Sequence, residues 1–287
     1  MPSNLVPPPH TDPPRIEERP PKPARALRKS PATNWTTPLR QRVKKAVLHI
    51  IDRGWFGFVP LQTHLVICGF PRSGTTLLQL MAETAYPSAR VFGRERSGLA
   101  AARNDLPGDV PLIISKLPDD IFWIDEIREC YTERRTKSRV RFIVNTRDPR
   151  AILTSVHGMN RDVYWVPLER WRAIDLHFRY VRDFDDVIVV EYRDLVLAPQ
   201  KVQGQLAAAI GIEPERAFAD FHQSVPGEFN TLALNGVRPL DPATLDKWRE
   251  PKHADRIRHL LREMPELPER LVEMGYENDT TWTRAYA

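Results

Sequence analysis

Eight residues, Gly69-Phe70-Pro71-Arg72-Ser73-Gly74-Thr75-Thr76, separate an apolar run, Leu65-Val66-Ile67-Cys68, from a second one, Leu77-Leu78-Gln79-Leu80-Met81-Ala82. A short apolar run, a glycine-punctuated turn and a further apolar segment specify strand, tight loop and helix in that order. Gly69 and Gly74 let the backbone turn sharply, and the free N–H groups of the first helical turn then converge on any anion placed above them. Thr75 and Thr76 add hydroxyl donors, Ser73 lies in the same cradle, and Arg72 brings a guanidinium fork that holds a phosphate or sulfate oxygen in two bonds. The plain alternative is a Gly/Pro turn between two core elements; two threonines directly after the glycine favour the anion site.

The spacing from Gly69 to Gly74 is that of a Walker A loop, but Thr75 stands where that loop carries lysine. Such a cradle still holds oxyanions, yet it is poorly matched to the β/γ-phosphate and magnesium arrangement of nucleotide triphosphatases.

The rest of the chain supplies an α/β body around this loop. With 287 residues, 41% of them hydrophobic, it is long enough for one sizeable core. The pattern predicts strands at 63–69, 110–114, 140–144 and 187–190, and helices at 39–51, 75–85, 119–130, 149–157, 166–184 and 198–210. Pro149 fits a first helical position. Strands alternating with helices imply a single P-loop-like domain with a central, mostly parallel sheet flanked by helices, and ligands at the strand C-terminal edge. No apolar stretch reaches the length of a membrane span and no compact apolar segment opens the chain, so the expectation is a cytoplasmic protein.

The net charge of +5 suggests nucleic-acid binding until its distribution is considered. Residues 1–45 hold 10 Lys/Arg and 3 Asp/Glu, whereas residues 46–287 hold 32 and 34. Eleven of the 27 prolines fall within residues 1–38. That composition predicts a disordered basic leader over 1–38, a helix and connection over 39–59, and no nucleic-acid partner. Two cysteines make no disulfide framework, Cys68 reads as a buried strand residue, and the scattered histidines lack metal-ligand spacing, so no metal is predicted.

Several residues at predicted strand ends extend the site. Arg147 follows the third main strand and offers a fork to a second phosphate, with Ser155 adding a hydroxyl from the next helix; the alternatives are a local Arg147–Asp148 pair and a structural serine. Lys116, in Ile114-Ser115-Lys116-Leu117-Pro118, either reaches the transferred group or is a surface lysine. Glu95 either takes a proton from an acceptor hydroxyl or pairs with Arg94 or Arg96. Trp55, Phe56, Phe58, Trp123, Tyr164, Trp165 and Trp171 are stacking surfaces or core.

Together these segments carry a family resemblance. Cys68 to Leu78 closely resembles the 5′-phosphosulfate-binding loop of sulfotransferases that use 3′-phosphoadenosine 5′-phosphosulfate (PAPS). Arg147-Asp148-Pro149-Arg150-Ala151-Ile152-Leu153-Thr154-Ser155 resembles their 3′-phosphate-binding segment. The resemblance covers roughly residues 60–278, leaving 279–287 as a tail, and is nearest to the bacterial, protein-tyrosine and carbohydrate sulfotransferase-like branch. It implies that Tyr192 approaches the adenine and that Lys247 contacts a phosphate. Ala233 stands where the tyrosine-sulfating pattern has serine, which makes Arg238 the substitute phosphate ligand. It also implies that Glu95 in Gly93-Arg94-Glu95 is the catalytic base, with Arg72 and Lys116 offsetting charge on the transferring group. The implied acceptor is a hydroxylated glycan, small metabolite or tyrosine peptide. Two rival functions are a P-loop kinase or nucleotide hydrolase, and a nucleotide-binding scaffold without catalysis.

Overall fold

Apolar runs too continuous to face water on either side belong in the middle of a parallel sheet, and the run before the glycine loop takes that place. The computed structural model describes residues 16–28, 30–34, 36–92, 95–105, 107–133, 138–156, 163–223 and 236–287. In it β1 (Thr63–Gly69) lies between two partners with every residue buried. Around it, in chain order, lie α1 (Ala24–Arg28), α2 (Pro38–Asp52), α3 (Thr75–Ala85), β2 (Arg90–Val91), α4 (Gly98–Asn104), β3 (Leu112–Lys116), α5 (Ile124–Glu133), β4 (Arg139–Thr146), α6 (Pro149–Leu153), α7 (Leu168–Val181), β5 (Val187–Glu191), α8 (Tyr192–Leu197), α9 (Pro199–Ile210), α10 (Ala254–Glu263) and α11 (Leu267–Glu273).

The strands form one sheet in the order β2-β3-β1-β4-β5, with each neighbouring pair parallel. This is the expected α/β architecture. Alternation sends Val66 and Cys68 to one face, against residues of α4 to α7, α10 and α11, and Leu65 and Ile67 to the other, against α3, α8 and α9. The chain leaves β1 for β2 and β3 on one side and then crosses back to β4 and β5. The crevice at this reversal is where open α/β sheets place ligands. Cys68 is buried as expected, and burial pushes its thiol pKa well up, with Asp120 adding to the effect.

Strand β1 and helix α3 occupy the expected spans, whereas other boundaries move. The strand at 110–114 shifts to Leu112–Lys116, because Pro111 lies before it and gives only its carbonyl, to the N–H groups of Gln62 and Thr63. A 3₁₀ turn, Pro118–Trp123, occupies the start of the helix expected at 119–130. Helix α6 ends at Leu153, short of His157, which lies outside the described residues. Helix α7 is shorter at both ends than 166–184. Neither β2 nor α4 was anticipated.

The described part of the proline-rich leader lies against the body. Arg19 pairs with Asp125 at 3.1 Å and Glu126 at 2.6 Å in the acidic first turn of α5, Lys22 lies 4.3 Å over the Trp123 ring, and Ala26 of α1 is buried in the core. Opposite charge and one small apolar anchor hold down a proline-rich segment that composition alone reads as solvated. The segment expected as a tail also folds: Thr281–Tyr286 forms a 3₁₀ turn whose Trp282 and Tyr286 pack against the core. No helix among the described residues is long and apolar enough to cross a membrane.

Candidate active site

Each of the five strands delivers a candidate residue at or just beyond its C-terminal end. After β1 comes the glycine loop. Gly69 has φ +113°, and a Cβ there would meet the Asn145 backbone oxygen at 2.6 Å, so only glycine lets β1 run this close to β4. Gly74 has φ +90° and caps α3; a Cβ on it would lie 2.6 Å from the Tyr192 ring. Between them Arg72 adopts φ +67°, a strained conformation for a side-chain-bearing residue. Ser73 is fully buried and its hydroxyl donates to the Phe70 carbonyl at 2.5 Å, so that side chain closes the loop from within.

Beyond β4 stands Arg147. Its guanidinium donates to the Arg72 carbonyl and the Thr244 carbonyl, both at 3.0 Å, and lies 4.2 Å over the Tyr192 ring. Tyr192, the first residue after β5, holds Thr244 in turn through a 3.3 Å hydroxyl contact. The local Arg147–Asp148 pair is not formed. Asp148 caps α6 through the Arg150 N–H at 2.8 Å and binds the Arg150 guanidinium at 2.8 Å. Arg147 therefore has no carboxylate partner among the described residues, and its Nε is buried without a hydrogen bond. Burial pushes its pKa down from the ordinary arginine value, and the nearby Arg72 adds to this. A bound anion would relieve both.

Arg150 was missed by sequence reasoning as a structural centre. It is 1% exposed, pairs with Asp148 and Glu277, and packs against the rings of Trp248 at 3.8 Å and Trp282 at 4.6 Å. Trp248 sits in the 3₁₀ turn Lys247–Arg249, so Arg150 ties that turn to the start of α6.

Strands β2 and β3 deliver the other half of the site. Lys116 ends β3 with its side chain 5% exposed, which overturns the surface-lysine alternative, and it donates to Glu95 Oε1 at 3.0 Å. Arg96 is engaged by Asp105 at 2.6 Å instead, and Gly93 and Arg94 lie outside the described residues. Glu95 thus pairs with a lysine 21 positions away rather than with Arg96.

These halves meet at one cleft of about 1100 Å³. Its walls include Arg72, Gly74, Thr75 and Thr76 from the cradle, Glu95 from the β2 side, and Arg147, Ser155 and Tyr192 from beyond β4 and β5. Arg238 and Lys247, both exposed, line its outer side, while Ala233 lies outside the described residues. Ser73 and Lys116 are not on its surface; Lys116 reaches it through Glu95. The Ser155 hydroxyl donates to the Ala151 carbonyl at 2.8 Å, so it donates to an anion in the cleft only by turning away from that carbonyl. Of the aromatic candidates, Tyr164 and Trp165 line the cleft, Trp123 and Trp171 are core, and Trp55, Phe56 and Phe58 are exposed elsewhere. No three His, Cys, Asp or Glu side chains gather in metal-binding fashion among the described residues. The arrangement can hold a large anion along its cationic wall and present a carboxylate to a second molecule.

Solved structures similar to the chain include two sulfotransferase domains. One is the sulfotransferase domain from the Synechococcus PCC 7002 olefin synthase, at 19% identity and a TM-score of 0.48 over 66% of this chain and 88% of that one. The other is the sulfotransferase domain from the curacin biosynthetic pathway, at 16% identity and a TM-score of 0.44 over 66% of this chain and 91% of that one. No family model matches the chain, and no curated protein matches it in sequence.

Proposed function

We propose that the chain is a sulfotransferase that moves the sulfuryl group of PAPS to a hydroxyl acceptor, with residues 60–278 as its transferase domain. One observation carries the reading: the Arg147 guanidinium binds the Arg72 carbonyl, and neither arginine has a carboxylate partner among the described residues, at the N-terminus of an eleven-residue helix whose loop has Thr75 in the lysine register. Two fixed cations and a helix N-terminus suit a phosphosulfate, while the missing lysine disfavours a triphosphate.

When bound, the donor supplies an activated sulfuryl group on adenosine 3′,5′-bisphosphate. The backbone N–H groups after Gly74, with Thr75, Thr76 and Arg72, hold the 5′-phosphosulfate. Arg147 and Ser155 hold the 3′-phosphate, with Lys247 and Arg238 closing from the outer wall, and Tyr192 flanks the adenine. Ser73 contributes by keeping the loop shut. Glu95 takes the proton of the acceptor hydroxyl as its oxygen bonds to sulfur and the bond from sulfur to the phosphate oxygen breaks. Neutralising Glu95 dissolves its ion pair, and the freed Lys116 ammonium offsets charge on the departing oxygen. Tyr164 and Trp165 offer the acceptor a flat face, which suits a sugar or aryl hydroxyl.

The test incubates the protein with sulfur-labelled PAPS and an acceptor-rich extract and identifies the labelled product by mass spectrometry. Glu95→Gln should bind adenosine 3′,5′-bisphosphate as tightly as the parent while transfer falls by about 10²- to 10⁴-fold. Undiminished transfer removes Glu95 as base. Magnesium-dependent consumption of adenosine triphosphate without sulfate transfer would establish a kinase or hydrolase instead.

A further inference from the structure

Four residues beyond Lys116, in the turn Pro118–Trp123, Asp120 is completely buried. Its Oδ1 accepts the Ser97 hydroxyl at 2.8 Å and its Oδ2 accepts the Gly98 N–H at 2.6 Å. The same Ser97 oxygen accepts the N–H groups of Leu99 and Ala100 and so caps α4. Two residues upstream of this cap is Glu95. Between them, Arg96 forms an isolated antiparallel bridge with Lys116, and its side chain binds Asp105 at the far end of α4. Segments 95–98 and 116–120 are therefore joined at three levels: the half-buried Glu95–Lys116 pair, the Arg96–Lys116 bridge, and Asp120 beneath both.

We propose that Asp120 is a positioning residue whose buried carboxylate holds the Glu95 segment against the Lys116 segment and thereby sets the geometry of that pair. Only the kinetic consequence rests on the sulfotransferase reading. The group is chemically costly for a mere cap, because no ion pair to Asp120 exists among the described residues and Ser97 already caps the helix. Burial raises its pKa from the ordinary carboxylate value to about 7, against the pull of the Gly98 N–H and the Ser97 hydroxyl, and with Asp119 pushing further. Asp119 itself is paired with Arg170 of α7, and Cys68 of β1 is the other titratable group beside Asp120. Protonation would turn one acceptor oxygen into a donor facing donors, so the clamp works as a carboxylate.

Asp120→Asn tests this in the full chain. Lys116 is shielded by Glu95, so its acylation by acetic anhydride, normalised to exposed Lys45 and read by mass spectrometry, reports whether the two segments stay together. The variant should label at Lys116 about tenfold faster, the loss expected for one charge-assisted hydrogen bond. Its affinity for adenosine 3′,5′-bisphosphate should not change, and transfer should fall in kcat with donor KM unchanged. Unchanged protection of Lys116 overturns the proposal, as does a parallel loss of bisphosphate affinity and thermal midpoint, which marks Asp120 as general support of the fold. If Asp120→Asn does not fold, Ser97→Ala, which removes one of the two bonds and keeps the buried charge, is read in the same way. Faster Lys116 labelling in the variant, with no sulfate transfer by the parent protein, upholds the positioning role and rejects the proposed activity.

Discussion

The two ends of the cleft are built by different means. At β1 and β4 the geometry is set by backbone: Gly69 lies against the Asn145 backbone, Gly74 against the Tyr192 ring, and Arg147 is aimed by two carbonyl oxygens. At β2 and β3 it is set by side chains that meet across long separations in sequence, Glu95 with Lys116 and Ser97 with Asp120. A backbone cradle is rigid and tolerates one ligand shape. A side-chain pair can be broken and remade, as a proton-handling step requires. On the proposed reading, gripping and reacting fall to structures of unlike stiffness.

The sharpest way to break this division is Lys116→Ala. If the β2–β3 end serves chemistry alone, sulfate transfer drops by about 10²- to 10³-fold while calorimetry shows unchanged binding of adenosine 3′,5′-bisphosphate. Weaker bisphosphate binding would mean that the two ends act as one. Arg147→Ala probes the opposite end. Losing a charged donor should weaken the bisphosphate by about ten- to a hundredfold, and amide exchange over residues 95–98 should not move.

The smallest effect is in stability against pH. Asp120 holds its proton to about pH 7 in the folded protein and releases it at ordinary carboxylate values when unfolded. Between these values the folded state binds more protons than the unfolded one, so this group's contribution falls as pH rises from about 4 to 7 and is flat above. The slope is at most about 1.4 kcal/mol per pH unit. Denaturant unfolding across this range should show the slope in the parent chain and its loss in Asp120→Asn; equal slopes would place the titration elsewhere.

The same contrast explains what the sequence made legible. The cradle, β1 and α3 could be read because glycine, threonine and apolar spacing act within about twenty residues. Arg147 was legible as a strand-end cation, but its freedom from Asp148 was not, since it depends on Arg150 taking that carboxylate. Strand β2 spans two residues and exists only by pairing with β3, so no periodicity announces it. Helix α4 did leave a signal, Ser97 before an alanine-rich run, which is a cap pattern. Asp120 left none: it falls in the first turn of the helix expected over 119–130, where an acidic residue is ordinary, and only the packed chain shows it fully buried. The contacts of the leader were illegible for a similar reason, because the partners of Arg19 lie on α5.

Arg150 makes surface positions unequal for anyone labelling this protein. Trp282 and Trp248, neighbour of Lys247, meet edge to face and both contact its guanidinium. A fluorophore or other bulky cargo placed on the turn Thr281–Tyr286 would therefore press on the wall of the cleft through two rings and one cation. The same cargo on the side of Trp55 and Phe56, neither of which lines the cleft, has no such lever.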